Sequence, residues 1–237
     1  QSGSLSSSIS MLPLNGLITR SQPPSLGVTD QKKSYASWKV KIGHQSLSVD
    51  IDALENALVD TNGNGGNVRA DANRGFNQSS FSNFAETVNS LNIFDTGNRF
   101  EYIEEPLEKQ IDDNGSWTIE QQVTALEYSF TKNSIPYALD ESVHDLLEFH
   151  HNDFSAVKES LLSVFGESTR GCAAVILKPS LLGLEMSLRL ARFARAELGM
   201  GAVFTSSFDS GIGLAYASFL ATVSDASSRD KDVPRYP

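Results

Sequence analysis

The most constraining feature of this sequence is a polar residue that recurs after each short apolar run. Each run is followed by a segment with helical spacing, and this alternation continues from Met11 to Val223. Strand–helix alternation predicts a parallel sheet with helices outside, and α/β barrels keep their catalytic groups at the C-terminal ends of such strands. The recurring residues are 28 to 38 positions apart and are, in order, Lys41, Asp71, Glu104, Asp140, Lys178 and Ser206.

The predicted fold class is an α/β barrel of the (β/α)8 type that is incomplete, with about seven strands. An eighth unit is needed to close such a barrel, and the polar segment 224–237 shows no strand pattern. We therefore expect a Ser-rich lead-in over 1–10, a barrel domain over 11–223 and an irregular tail over 224–237. The predicted strands are 11–18, 37–42, 67–69, 100–107, 135–139, 173–177 and 202–205, and the helices are 50–59, 79–91, 117–131, 154–165, 184–198 and 212–223.

Composition excludes several classes of function. The net charge of −10 and the lack of a long basic run argue against nucleic-acid binding. No apolar run reaches about 18 residues, so no membrane span is expected. The single cysteine, Cys172, lies in an apolar run and is predicted to be a buried strand thiol. The four histidines lie in predicted loops or at helix edges, so a zinc site is not expected.

Three of the recurring residues are carboxylates on successive predicted strands. Asp71, Glu104 and Asp140 would converge at one barrel mouth, and carboxylate oxygens are the ligands that Mg²⁺ prefers. Lys41 and Lys178 would flank that ion on opposite sides. Any one of these residues is more often a solvated loop charge, but the ordered set of six indicates a site.

One of the flanking lysines could act as a base only if it is neutral at the working pH. A strand with period-two alternation places Lys39 and Lys41 on the same face. The charges of Lys39 and of a bound cation would both lower the pKa of Lys41.

The segments around these residues resemble the enolase superfamily, and most closely its o-succinylbenzoate synthases. A segment similar to the first barrel strand of that family, PLNG, lies at 13–16. The other matching segments are KVKIG at 39–43, RADANR at 69–74, YIEEP at 102–106, ALDES at 138–142, VILKPS at 175–180 and TSSFDSG at 205–211.

The resemblance implies a Mg²⁺-dependent carbon–oxygen lyase, a dehydratase of menaquinone and phylloquinone biosynthesis. It would convert 2-succinyl-6-hydroxy-2,4-cyclohexadiene-1-carboxylate to 2-succinylbenzoate. Lys41 would remove the proton α to the substrate carboxylate, and Lys178 would stabilise the enediolate on the other face. A lysine base that works together with Mg²⁺ is a known arrangement in this superfamily. The other implied roles are metal ligation by Asp71, Glu104 and Asp140, and substrate binding by Lys39, Arg69, Asn73, Ser206, Ser207 and Gly211.

The chain departs from that family in two expected respects, since most of the N-terminal capping domain and the last barrel unit are not found in it. Two alternatives stay open: another superfamily reaction, such as racemisation or cycloisomerisation, and a catalytically incomplete barrel segment of a multifunctional fusion. The expected partners are a small-molecule carboxylate substrate and, in a fusion, other enzymes of the quinone pathway. The resemblance implies a chloroplast location for a plant or algal protein and a cytoplasmic one otherwise.

Overall fold

In the described residues, seven parallel strands form one curled sheet in the order of the sequence. The computed structural model describes residues 15–18, 35–43, 46–62, 66–91, 99–207 and 209–226. The predicted lead-in, the start of the first predicted strand and the end of the tail lie outside the described residues. The strands are β1 (Asn15–Ile18), β2 (Ser37–Lys41), β3 (Asn67–Asp71), β4 (Phe100–Glu104), β5 (Tyr137–Leu139), β6 (Cys172–Leu177) and β7 (Gly201–Phe204).

Helices lie between successive strands and pack on the outside of the sheet. The apolar spacing of α2 illustrates the cause, because Phe81, Phe84 and Val88 are three or four residues apart and all are buried. The described helices are α1 (Leu47–Asn62), α2 (Gln78–Ser90), α3 (Ile119–Asn133), α4 (Glu141–Phe149), α5 (Phe154–Phe165), α6 (Pro179–Leu182), α7 (Leu184–Phe193) and α8 (Gly211–Ala226).

The two faces of the sheet have different compositions. Val40 and Val68 belong to the large core between strands and helices. A smaller buried cluster that includes Tyr102 and Ile176 is separate from that core and lies on the inner face. Strand alternation places the two lysines of β2 on the inner face. The register then pairs Lys41 with Asp71.

The predicted fold class is confirmed, and most element boundaries agree within a few residues. The predicted strand 100–107 is too long, because β4 ends at Glu104. The helix α4 is absent from the prediction, and it contains His144, for which the sequence indicates a loop or a helix edge. The buried residues of α4, among them Val143 and Leu146, have helical spacing, but the polar residues between them hide the pattern.

Two further boundaries differ at the C-terminal part of the chain. The predicted helix 184–198 is α-helical only to Phe193, and a π-helical turn, Ala194–Leu198, completes it. The buried side chain of Arg195 in this turn donates to the carbonyl of Ala202 at 2.9 Å. The last helix, α8, continues to Ala226, three residues beyond its predicted end. Among the described residues, no helix is both long and apolar enough to cross a membrane.

Candidate metal and catalytic site

The C-terminal ends of five neighbouring strands bring six of the predicted site residues together. Lys39 and Lys41 lie on β2, Asp71 ends β3 and Glu104 ends β4. The three carboxylates of the set are almost completely buried, at 0% for Asp71, 2% for Glu104 and 1% for Asp140. Asp140 precedes α4, and Lys178 precedes α6.

Two glycines allow the turns after β2 and β3 to touch. A side chain at Gly75 would overlap the carbonyl oxygen of Gly43, so the backbones approach each other directly. Gly43 itself has a φ of +84°, in the left-handed region that favours glycine. Its N–H donates to a carboxylate oxygen of the buried Asp50 at 2.9 Å. These contacts hold the ends that carry Lys41 and Asp71 next to each other.

Lys39 is the central cation of the site. Its ammonium lies 2.6 Å from Asp71 Oδ2 and 2.7 Å from Glu104 Oε1. Burial by itself lowers the pKa of Lys39, but Glu104 and Asp71 together raise it above its ordinary value. Lys39 is therefore a fixed positive charge on the same strand as Lys41.

Lys41 is held between a carboxylate and an amide. Its Nζ donates to Asp71 Oδ2 and to Asn73 Oδ1, each at 2.5 Å. The Asn73 side chain in turn donates to Glu141 Oε1 at 3.1 Å, so it links the end of β3 to the start of α4. Burial raises the pKa of Asp71, but Lys39 and Lys41 outweigh that effect and hold it below its ordinary value.

Lys178 faces the other end of the carboxylate row. Its Nζ lies 2.5 Å from Asp140 Oδ2. The second carboxylate oxygen, Asp140 Oδ1, is buried and has no hydrogen-bond partner among the described residues. Nearby, burial and the charge of Lys178 lower the pKa of His144.

The chemistry of the three carboxylates fits a hard divalent cation. Burial and the negative charges of Asp71 and Asp140 raise the pKa of Glu104 to about 8, although Lys39 opposes them. The buried carboxylate oxygens repel one another, and one of them, Asp140 Oδ1, has no hydrogen-bond partner among the described residues. Such a set of oxygen donors suits Mg²⁺. In the described part of the chain, no three acidic, histidine or cysteine side chains are already grouped closely enough to hold a metal. Lysine ammonium groups lie against the carboxylates instead.

The predicted substrate-binding residues fall into two groups. Arg69 is buried in the barrel interior, where its Nε donates to Glu101 and its guanidinium lies 5.1 Å from the centre of the Tyr102 ring. Ser206 and Ser207 follow β7 and lead into α8, which begins at Gly211. These turn residues are at the same end of the parallel sheet as Lys178. A contact of any of them with substrate stays a prediction.

Sequence reasoning misses a buried network beside the carboxylates. The sequence leaves open whether Glu105 is an ordinary polar residue or one that supports the site residues without contacting the substrate. In the structure it is completely buried and its carboxylate accepts four hydrogen bonds. Burial raises the pKa of Glu105 to about 7, although Arg74 opposes the shift. A second carboxylate directly after Glu104 and before a proline is the signal that the sequence offers.

Comparison with known proteins gives the fold a wider context. No family model matches the chain. The chain is 27% identical over 194 residues to the chloroplastic protein PHYLLO of Arabidopsis thaliana, and the match covers 80% of this chain and 10% of that protein. Among solved structures, MenC of Desulfotalea psychrophila LSv54 matches with a TM-score of 0.60 and 20% identity over 94% of this chain and 53% of that one.

Two other solved structures show the same fold. A mandelate racemase/muconate lactonizing protein of Herpetosiphon aurantiacus has a TM-score of 0.59 and 16% identity, over 89% of this chain and 50% of that one. A dipeptide epimerase of Cytophaga hutchinsonii, solved with Mg and the dipeptide D-Ala-L-Val, has a TM-score of 0.53 and 20% identity, over 83% and 44%. The chain thus spans about half the length of these structures. The described residues share the α/β barrel fold of these structures, with seven parallel strands.

Proposed function

We propose that the barrel carries the site of a Mg²⁺-dependent dehydratase of the o-succinylbenzoate synthase type. The observation that carries the proposal is the meeting of three buried carboxylates, Asp71, Glu104 and Asp140, with a lysine at each end of their row. The similarity to a MenC structure and to the chloroplastic protein PHYLLO supports this proposal over other reactions of the same fold. The same similarity supports a role in quinone biosynthesis and, in a plant or alga, a chloroplast location.

The cation would be held by Asp71, Glu104 and Asp140, and when bound it would supply positive charge to the carboxylate oxygens of the substrate. The substrate proton α to that carboxylate is only weakly acidic. Lys41 would remove it, since Asn73 and Asp71 hold the Lys41 Nζ at the mouth. Lys39, a fixed positive charge on the same strand, would contact the substrate carboxylate.

After the proton transfer, Lys41 carries the proton that the leaving hydroxide needs to depart as water. Lys178 would provide a positive charge on the opposite side of the substrate ring. Arg69, Asn73, Ser206, Ser207 and Gly211 would hold the substrate, with the turn before α8 placed to receive the succinyl carboxylate. This chemistry requires that water be kept out of the open end of the barrel. The assay is therefore also run with an added capping domain.

The test is the conversion of 2-succinyl-6-hydroxy-2,4-cyclohexadiene-1-carboxylate, followed by the absorbance of the aromatic product. The chain is measured with Mg²⁺, alone and with the capping domain of a bacterial relative added in trans. We expect the unmodified chain to form product. Asp140→Asn should form none, and the surface variant Lys132→Met should form as much as the unmodified chain. If no product forms even with the capping domain, the proposal is wrong.

A second candidate is a racemase or cycloisomerase reaction of the same superfamily. It is favoured by one observation, that Lys41 and Lys178 pair with Asp71 and Asp140 at opposite ends of the carboxylate row. Two bases on opposite faces suit racemisation. Incubation with N-acyl amino acids in deuterium oxide separates the candidates, because α-deuterium incorporation without dehydration supports the second one.

A third possibility is that the chain is a structural segment of a larger fusion and has no activity of its own. Thermal unfolding followed by circular dichroism distinguishes it. A cooperative transition is the expected result for a self-sufficient domain, and a gradual loss of signal supports the structural segment.

A further inference from the structure

We propose that Glu105 is a positioning residue that fixes the spacing of the metal ligands without touching the metal. The proposal rests on the proposed metal site. Glu105 directly follows Glu104, yet its side chain points to the neighbouring strand end and not to the carboxylate row. The carboxylate of Glu105 and the side chains of Arg74, Ser142 and Asp145 are called the Glu105 network below.

The Glu105 carboxylate holds the turn that carries Asp140. One oxygen, Oε2, accepts the backbone N–H of Asp140 at 2.9 Å and that of Ser142 at 3.2 Å. The other, Oε1, accepts the Ser142 hydroxyl at 2.5 Å. Three hydrogen bonds to residues 140 and 142 leave this turn little freedom to shift relative to the end of β4.

The same carboxylate holds the turn that follows Asp71. Arg74 Nε donates to Glu105 Oε1 at 3.4 Å, and the Arg74 backbone N–H donates to the Glu105 carbonyl at 2.8 Å. Beyond Glu105, Arg74 Nη2 reaches Ser142 Oγ at 3.2 Å and Asp145 Oδ2 at 2.7 Å. The Glu105 network therefore ties together the ends of β3, β4 and β5, and these three ends carry the three proposed ligands.

Backbone conformation supports the same assignment. Asn73, Arg74 and Glu105 have φ angles of 43°, 60° and 37°, in the left-handed region that non-glycine residues rarely adopt. Such strain persists where the surroundings over-determine it, and it concentrates at functional sites. These three residues closely follow the proposed ligands Asp71 and Glu104. The Glu105 network supplies contacts that hold Arg74 and Glu105, and Asn73 bonds to Asp71 and Glu141.

The location of the network sets it apart from a second buried ion pair of the barrel. Arg69 and Glu101 also pair inside the barrel, on β3 and β4. Both of those residues lie within strands, at a point where the register between β3 and β4 is irregular. Glu105, in contrast, lies one residue beyond the end of β4, where backbone bonds between neighbouring turns continue. Its buried carboxylate adds bonds to two further backbone N–H groups, those of Asp140 and Ser142, in the turn after β5.

The test compares Mg²⁺ affinity in the full chain and in Glu105→Gln, measured by isothermal titration calorimetry. The amide keeps the shape of the side chain but loses one of the two acceptor oxygens. Loss of an outer partner of a metal ligand costs about 10–100-fold in metal affinity, and we expect a loss in that range. A milder variant, Ser142→Ala, removes one hydrogen bond and should give a smaller loss if Glu105→Gln fails to fold.

Gln122→Leu serves as the matched control. Gln122 is also completely buried, and its side chain bonds backbone groups of a loop, accepting from Gln110 N at 2.8 Å and donating to Leu107 O at 3.3 Å. It makes none of the contacts of the Glu105 network. The control should lower the melting temperature and leave the Mg²⁺ affinity unchanged.

A second measurement keeps the proposal testable without metal. Hydrogen exchange of the Asp140 and Ser142 amides, in a metal-free buffer, should be faster in Glu105→Gln and unchanged in Gln122→Leu. If the unmodified chain binds no Mg²⁺, the proposed Mg²⁺-dependent function is wrong. The exchange rates of the Asp140 and Ser142 amides then decide by themselves whether Glu105 fixes this turn. Unchanged exchange at both amides, or a uniform increase across the chain, overturns the proposal.

Discussion

The strands β2 to β5 and the two outer strands of the sheet share one parallel geometry but have very different surroundings. The central strands carry the two lysines of β2 and the buried carboxylates of β3, β4 and the end of β5 inside, and packed helices cover them outside. At the outer strands, in contrast, Leu17 of β1 is 54% exposed, and Ile212 and Phe219 of α8 are 72% and 61% exposed. The described residues thus surround the proposed ligands with packed strands and helices. The gap between the two edge strands, β7 and β1, has exposed apolar side chains and is called the seam below.

The residues of the proposed site and the contacts that would close the barrel therefore lie in separate parts of the structure, the central strands and the two edge strands. Each ligand of the proposed site comes from the end of a strand that has paired neighbours on both sides. The helix α8 is apolar on two sides, because Ala217 and Leu220 are buried while Tyr216 and Phe219 are exposed. Contiguous exposed apolar surface and unpaired strand edges mark places where further polypeptide packs or chains aggregate.

The largest expected effect lies in the central strands, at Lys41. If Lys41 is the base of the proposed dehydratase reaction, Lys41→Met should lower turnover by roughly 10²–10⁴-fold, the usual contribution of a general base. The fold should persist, because the side chain of Lys41 is 34% exposed. Product absorbance gives the rate, and Lys132→Met, on an exposed lysine that pairs with Glu86, is the control. Equal rates in the two variants would show that Lys41 is not the base.

The next effect concerns the packing of the central wall. Phe84 is completely buried and its ring centre lies 5.1 Å from that of Phe76. Phe84→Ala should lower the free energy of unfolding by about 3–5 kcal/mol, because it leaves a cavity in the core. Urea denaturation provides the value. A loss below about 1 kcal/mol would mean that this wall is not the stable part of the molecule.

A smaller effect is the pH dependence of stability without metal. The pKa of Glu104 rises from an ordinary 4.5 to about 8, so between these values the folded chain keeps a proton that the unfolded chain releases. The free energy of unfolding should therefore fall as the pH rises, by roughly 2 kcal/mol from pH 5 to pH 7. Denaturation in the presence of a chelator measures this dependence.

Glu104→Gln isolates the contribution of this carboxyl. The pKa of Glu105, raised to about 7, acts in the same direction, so the variant should show a weaker slope and not a flat one. The raised pKa of Lys39 and the lowered pKa of Asp71 act outside this window. An unchanged slope in Glu104→Gln would contradict the buried, mutually repelling carboxylates described above.

The smallest effect on stability is expected at the seam. Phe219→Ser should change the free energy of unfolding by less than about 0.5 kcal/mol, as surface substitutions usually do. It should, however, reduce self-association and the binding of an apolar dye, because it interrupts the exposed face of α8. Sedimentation velocity of the unmodified protein and of Phe219→Ser measures the self-association. A large loss of stability would show that this face is packed within the chain.

Much of the central region could be predicted from sequence, because strand ends there are marked by charged residues at regular intervals. Lys41, Asp71 and Glu104 follow directly from that spacing. The contacts between turns could not be predicted, since they depend on the register of neighbouring strands. The contacts of Glu105 and Gly75 are therefore visible only in the structure. Glu105 bonds the turns after β3 and β5, and Gly75 leaves room for the turn after β2.

The helix boundaries that failed have a physical reason in tertiary contacts. Leu184 to Leu198 has a helical pattern throughout, but the buried Arg195 bonds β7 and α8 from a widened turn. The pattern of α4 is hidden because its first residues serve the site, with Glu141 bonded to Asn73. The helix propensity of the local sequence predicts neither boundary, because contacts with other parts of the fold determine both.

The central claim is that the chain itself assembles a divalent-cation site at the ends of β3, β4 and β5. Isothermal titration of the full chain with Mg²⁺ tests it most directly, with Asp71→Asn and Asp140→Asn as matched variants. The account predicts saturable binding of one ion per chain, lost in both variants while their folds persist. Absence of saturable binding, or equal binding in Asp140→Asn, would contradict it.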